Sequence, residues 1–218
     1  PALGRAGTVV MLASGARLAV TGVGCTAAAE GARRLIASGC GALASWGLAG
    51  GLDPSLPAGV VLLPEEIALA ERPTLRTASD WMERSARSLG PLRPRVGGKL
   101  LTSPRAFGAA AEKARAFRET GALAVDMESY AVAEVAAASG VPFVTMRVIV
   151  DTALDGIPPA LAGATDAAGR VSVPRVLLEI AARPAGLAAL LRLARRYRIA
   201  MRSLRAVART GALTADAA

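Results

Sequence analysis

The sequence predicts an α/β fold: a three-layer αβα arrangement in which a central mixed, mostly parallel β-sheet is flanked by helices. Two observations predict it. Short apolar runs of strand length recur between alanine-rich stretches with helical spacing, and strands that alternate with helices pair in parallel and need both sheet faces covered. The chain is 218 residues long and 53% apolar, enough to bury a sizeable core, and its length suits one domain, 1–218, better than two.

Taken in order, Val9 to Leu12 and Leu18 to Val23 read as strands joined at the turn-prone pair Ser14-Gly15, and Gly22-Val23-Gly24 opens a helix from Thr26 to Ser38. A buried strand is expected at Gly41 to Trp46, a glycine-rich turn at Gly47 to Gly51 and a strand at Val60 to Leu63. Pro64, Pro73, Pro91 and Pro94 punctuate the polar stretch Glu65 to Arg95, which reads as loops around a short helix at Asp80 to Ser88. Strand Val96 to Leu101, helix Ala109 to Glu119, strand Ala122 to Val125, helix Met127 to Ser139 and strand Phe143 to Val150 complete the body. Beyond Asp151, the segment Asp155 to Arg170 reads as a surface loop. Helices at Arg175 to Arg183 and Leu187 to Thr210 come next, separated by Pro184 and Gly186. Residues 173–210 are thus a basic helical extension of the domain.

Composition narrows the chemistry. There is no histidine, which removes Ser-His and Cys-His catalysis, disfavours zinc and leaves acid and base work to carboxylates. Cys25 and Cys40 sit in apolar segments without CxxC spacing, so no disulfide framework is supported, and both are expected as buried thiols. Neither a metal nor an organic cofactor is expected. The net charge of +9 raises the question of nucleic acid, but seven arginines lie between Arg192 and Arg209 and aromatics are 3% of the chain, too few for a stacking platform. No nucleic-acid partner is expected. Apolar stretches fall short of the ~20 residues of a membrane span and no charged-then-apolar leader opens the sequence, so a soluble, cytoplasmic protein is expected.

Three segments end strands with residues whose chemistry makes sense together, and ligands of open α/β sheets collect at such ends. In the first, Gly47-Leu48-Ala49-Gly50-Gly51-Leu52-Asp53, glycines let the backbone approach a ligand; a tight turn would use them equally well. In the second, Ala124-Val125-Asp126-Met127-Glu128-Ser129, two carboxylates stand at a helix start, where they suit the helix dipole. One of them can instead accept hydrogen bonds from a pair of ribose hydroxyls while Met127 packs on the sugar. In the third, Met146-Arg147-Val148-Ile149-Val150-Asp151, the terminal acid either caps the next segment of chain or protonates a departing purine.

Together these segments resemble the nucleoside phosphorylase and nucleosidase superfamily, whose methylthioadenosine/S-adenosylhomocysteine nucleosidases carry a T-G-x-A-G-G-L turn, a V-E-M-E helix start and an R-x-I-S-D strand end. Order and spacing both agree, from about Gly15 to Asp151. The resemblance implies a phosphorylase/hydrolase-like fold and cleavage of a purine nucleoside, with Asp151 as the acid to the purine. Glu128 would bind the ribose hydroxyls, Met127 would lie on the sugar, Ala49 and Gly50 would line the floor, and Phe107 would stack on the base. Val150 departs from the family, which usually has serine there. So does the region before Val9, which lacks the apolar strand and acidic turn that open the family's chains; a truncated chain or a replaced first strand is expected.

Within that superfamily the chain is most similar to the hopanoid-associated phosphorylase, or adenosylhopane nucleosidase, group. The likeness rests on residues Thr120 to Ser129, the Asp151 to Pro159 stretch and the ending Leu190 to Arg196. It implies a lipid-linked adenine nucleoside as substrate; methylthioadenosine or another small purine nucleoside is the alternative, and a non-catalytic, membrane-peripheral binding module is the rival of another class. From Leu187 apolar residues recur at near-helical spacing among arginines, with no acid between Ile180 and Ala215. Such a helix can lie on an anionic inner membrane surface or pack on the sheet with its arginines in water. A homo-oligomer is expected. Water and inorganic phosphate both remain open as nucleophile, and Gly22, Gly24 and Thr26 mark a helix start whose N–H groups could hold phosphate.

Overall fold

The computed structural model describes residues 7–12, 14–156 and 186–214, with only the backbone given for 186–190. An antiparallel hairpin of β1 (Val9–Met11) and β2 (Arg17–Ala19) comes first and forms a sheet of its own. Gly15 turns it at φ 82°, where a Cβ would be strained. Then come α1 (Cys25–Ala37), β3 (Leu43–Gly51), β4 (Val61–Leu63), β5 (Glu66–Leu69), β6 (Leu75–Arg76), α2 (Ser79–Ser88) and β7 (Arg95–Val96). The remaining elements are β8 (Lys99–Thr102), α3 (Ala110–Thr120), β9 (Ala122–Asp126), α4 (Ser129–Ala138), β10 (Phe143–Asp151) and α5 (Gly186–Arg209).

Among the described residues, eight strands make one mixed sheet in the order β6-β5-β8-β9-β3-β10-β4-β7. The pairs β5/β8, β8/β9, β3/β10 and β4/β7 are parallel, and β5/β6, β3/β9 and β4/β10 are antiparallel. Helices cover both faces, giving the α/β architecture the sequence predicts. The alternation of β10 shows why: Phe143 and Ile149 pack with Ala32 of α1 and Tyr130, Ala133 and Ala136 of α4. Val144, Met146 and Val148 point the other way, onto Trp81 of α2 and Ala200 and Val207 of α5. A strand buried on both faces needs a nearly continuous apolar run, and each of its large side chains contributes about 1.5–3 kcal/mol by burial.

Several expectations are corrected. The segment 47–51 is not a turn but the second half of β3, paired in register with β10 from Phe143↔Leu43 to Ile149↔Ala49. Its glycines serve close approach instead: a Cβ on Gly47 would stand 3.3 Å from Arg147 Nη1, and one on Gly51 3.2 Å from the Asp151 carbonyl. The strand expected at 96–101 breaks into β7 and β8 at Gly97 and Gly98, both at left-handed φ. The stretch 65–95 is not all loop, because β5 and β6 form an edge hairpin. There Ile67 alone is fully buried, while Glu66 pairs with Arg76 at 3.1 Å. The second strand ends at Ala19 rather than 23, and α4 starts at Ser129 rather than 127. The helix expected at 175–183 and all but the first two residues of the loop at 155–170 lie outside the described residues. Among the described residues, no helix is long and apolar enough to cross a membrane.

Candidate active site

The β3/β10 pairing and the short antiparallel contact Gly50↔Val125 between β3 and β9 bring the three sequence segments to one place. There they border a cleft of about 210 Å³ lined by Ala49, Gly50, Phe107, Met127, Glu128 and Asp151, together with Arg105 and Lys113. All six substrate and acid positions named from the family resemblance therefore share one cavity.

The two carboxylates at the start of α4 have different work. Asp126 is fully buried and saturated: it accepts hydrogen bonds from Thr102 Oγ1 at 2.8 Å, from Arg147 Nε at 2.7 Å and from the Ser129 amide at 3.1 Å. One of its oxygens takes the first amide of α4, and the carboxylate has no lone pair to spare for a ligand. Arg147 is equally buried and donates its Nη2 to Ser45 Oγ at 2.7 Å. Glu128 instead sits at the N-cap and turns into the cleft. Its Oε1 accepts from the Gly24 amide at 2.8 Å and its Oε2 from the Met127 amide at 3.2 Å, so both oxygens are oriented but not saturated.

Asp151 closes β10 with its side chain 16% exposed. Gly50 lies directly beneath it: a Cβ there would be 3.3 Å from Oδ1, so the missing side chain leaves the carboxyl open to the cleft. Burial pushes the Asp151 carboxyl above its ordinary range, against the pull of the adjacent Lys113 ammonium and with a smaller push from Asp155. Lys113, one of two lysines in the chain, is buried within α3. It pairs with Asp151 Oδ2 and donates to the Thr152 carbonyl at 2.9 Å. A helix reading shows only a polar residue in 109–119 and gives no sign that its ammonium reaches the end of another strand. At the cleft's mouth the Arg105 guanidinium stands 5.8 Å from the Phe107 ring centroid and pairs with Glu112, whose carboxyl it holds below the ordinary range.

The loop singled out for an anion lies on the other side of Glu128. Gly24 gives its N–H to that carboxylate, Gly22 lines a neighbouring cavity of about 240 Å³ that also touches Glu128 and Arg147, and Thr26 is exposed on α1. Cys25 and Cys40 are free and half-buried rather than buried, because the N-terminus of α1 and the turn after it face solvent in part. Burial and the nearby Asp126 and Glu128 push the Cys25 thiol up, and it donates to the Met127 carbonyl at 3.3 Å. Among the described residues, no cluster of three or more His, Cys, Asp or Glu side chains could hold a metal.

The site is thus one oriented and one largely buried carboxylate at neighbouring strand ends of a mixed sheet covered on both faces. The chain belongs to the phosphorylase superfamily, whose family model matches residues 4–180. No curated protein matches the sequence. Among solved structures it is similar to a putative methylthioadenosine nucleosidase from Weissella paramesenteroides, at 17% identity and TM-score 0.60, over 91% of this chain and 89% of that one. It is also similar to 5'-methylthioadenosine/S-adenosylhomocysteine nucleosidase from Neisseria meningitidis, with 22% identity, TM-score 0.59 and coverage of 63% and 68%. Futalosine hydrolase of Helicobacter pylori matches at 19% identity and TM-score 0.56, over 61% of this chain, and the chain spans 64% of that protein's length. At these identities the likeness is one of fold.

Proposed function

We propose that the chain cleaves the N-glycosidic bond of an adenine nucleoside, releasing adenine from adenosylhopane in hopanoid lipid biosynthesis. The observation that supports cleavage is the convergence of Asp151, Glu128 and Met127 on one cleft, with Gly50 flush beneath the acid. As the bond breaks, its electrons enter the purine and the ribose becomes oxocarbenium-like. A buried aspartic acid with its pKa raised can protonate a purine ring nitrogen at that moment. Glu128, pre-oriented by two backbone amides, takes the ribose hydroxyls on its remaining lone pairs. Met127 covers the sugar, Phe107 stacks on the base, and Ala49 and Gly50 form the floor.

Water is the nucleophile this reading favours over inorganic phosphate. Among the described residues, the two cations lining the cleft, Arg105 and Lys113, are already paired with Glu112 and Asp151, and the Gly24 amide serves Glu128. The lipid-linked substrate is supported by the likeness of residues 120–129, 151–159 and 190–196 to the hopanoid-associated group, and by the surface of α5. The buried Ala200 and Val207 dock this helix on the sheet, while Leu191, Tyr197 and Ile199 are exposed among Arg192, Arg195 and Arg198. An apolar and basic surface of that kind suits peripheral contact with an anionic inner membrane. The exposed Val9, Met11 and Leu12 of the first hairpin are the apolar surface on which a homo-oligomer would form.

The test is adenine release from adenosylhopane and from methylthioadenosine, with and without phosphate, by the native chain and by Asp151→Asn. Release from the hopanoid that the variant lowers by at least about 100-fold is the expected result. Release from methylthioadenosine alone would keep the nucleosidase reading and remove the hopanoid, and strict phosphate dependence would replace water. No release from either would leave a nucleoside-binding module.

A further inference from the structure

The acid of the proposed reaction has a partner that an isolated general acid would not need. Lys113 is 1% exposed, its ammonium is hydrogen-bonded to Asp151 Oδ2 and to the Thr152 carbonyl, and it lies at the wall of the cleft. The ammonium pulls the Asp151 carboxyl toward its ionised form while burial, the larger effect, pushes it the other way, so the proton of the carboxyl is tied to the group beside it. A buried ion pair is also a poor stabiliser, because desolvation offsets most of its attraction. A plain structural account of Lys113 is therefore weak.

We propose that Lys113 is a positioning residue that charges Asp151 with its proton, so that the acid of this site is the Lys113–Asp151 pair and not a lone carboxylic acid. The inference rests on the nucleoside-cleavage reading above. As the glycosidic bond breaks and its electron pair enters the purine, the base nitrogen takes the proton from Asp151, and Asp151 takes one through Oδ2 from the Lys113 ammonium. Lys113 is left a neutral amine and Asp151 a carboxylate. Water adds to the sugar cation and releases one proton, which restores the ammonium through solvent. Proton transfer within the pair turns two charges into none, which low-dielectric surroundings favour. Among the described residues, Asp155 is the further charged group that acts on Asp151. Asp155, in the turn after β10, faces Asp151 and is itself neutralised by Arg196 of α5. Gly50 of β3, which lies against the carboxyl, carries no charge.

Lys113→Met keeps the bulk of the side chain and removes the proton, and Lys113→Arg keeps the charge but does not surrender a proton near neutrality. Adenine release from methylthioadenosine is measured against pH beside 4-nitrophenyl riboside, whose leaving group departs without protonation. For both variants we expect about a 100-fold loss on the purine nucleoside, the lower range for a positioned proton donor, and a change within threefold on the nitrophenyl riboside. The alkaline limb of the Lys113→Met profile should differ from the native one, because it then follows the Asp151 carboxyl alone. Equal losses on both substrates, or a Lys113→Met enzyme with native rate and limb, would overturn the proposal. Carbon-13 titration of the Asp151 carboxyl without substrate separates this failure from that of the functional reading. Removing Lys113 must raise its midpoint, and an unmoved midpoint overturns the pairing whatever the chain acts on.

Discussion

Replacing Arg147 by methionine would test whether the saturated Asp126 is a structural group. The guanidinium gives Asp126 a charged donor at 2.7 Å, Ser45 a second at 2.7 Å and the Met146 carbonyl a third at 3.2 Å. Its side chain is 3% exposed and that of Asp126 is 0% exposed. Arg147→Met leaves the carboxylate buried with only the Thr102 hydroxyl and the amides at the start of α4. Stranding a buried charge in this way costs about 3–5 kcal/mol, against a total stability of about 5–15 kcal/mol for a domain. For a chain of this size that corresponds to a fall in melting midpoint of about 6–20 °C. Urea unfolding followed by circular dichroism should show the loss in midpoint with an unchanged slope. In an Asp126→Asn background the same substitution should cost about 2 kcal/mol less, because the stranded charge is gone. A single-variant loss below about 1 kcal/mol, or strict additivity between the two changes, would refute the assignment and return Asp126 to the candidate ligand-binding groups.

The same geometry leads to two further outcomes. Gly50→Ala places a Cβ 3.3 Å from Asp151 Oδ1 and 3.5 Å from Val125 Cγ1, close enough to displace the acid by a few tenths of an ångström. Adenine release should fall about 10-fold, since a full ångström costs about 100-fold, while the melting midpoint hardly changes; native kinetics would remove Gly50 from the site. Asp155 is pushed up by partial burial but held below its ordinary range on balance by the Thr152 hydroxyl and amide and by Arg196. Its stabilising contribution is therefore present above the ordinary carboxylate range and lost as pH falls through the lowered value. Asp155→Asn should be less stable than the native chain at neutral pH and converge with it in acid, and a constant difference across pH would contradict this.

The parts of the fold legible in the sequence are those where burial imposes one period. β10 and β9 are apolar on both faces, and α1 and α3 carry clear helical spacing, so all four stand where their residues suggest. Glycine misleads in the middle of the chain. In β3 it reads as a turn because backbone freedom is its commonest use, yet Gly47, Gly50 and Gly51 are extended and are needed for the space they leave to Arg147 and Asp151. The β5/β6 hairpin is hidden for the opposite reason: at the sheet edge a single buried residue, Ile67, suffices, and the charges of Glu66 and Arg76 mask the alternation.

The site divides along a different line. Position in sequence identifies which carboxylates end strands, but the number of donors each one meets decides its work, and those donors come from far along the chain. Asp126 and Glu128 are two residues apart and look alike in sequence. Thr102 and Arg147 saturate the first, whereas Gly24, 104 residues away, fixes the second without exhausting it. Asp151 is open to the cleft because Gly50 has no side chain, and it is paired with Lys113, 38 residues before it. Neither neighbour has a sequence spacing that marks it. The acid therefore depends on the registration of β3 and α3 against β10. Substitutions that shift either element should change the pH profile of adenine release before they change the melting midpoint.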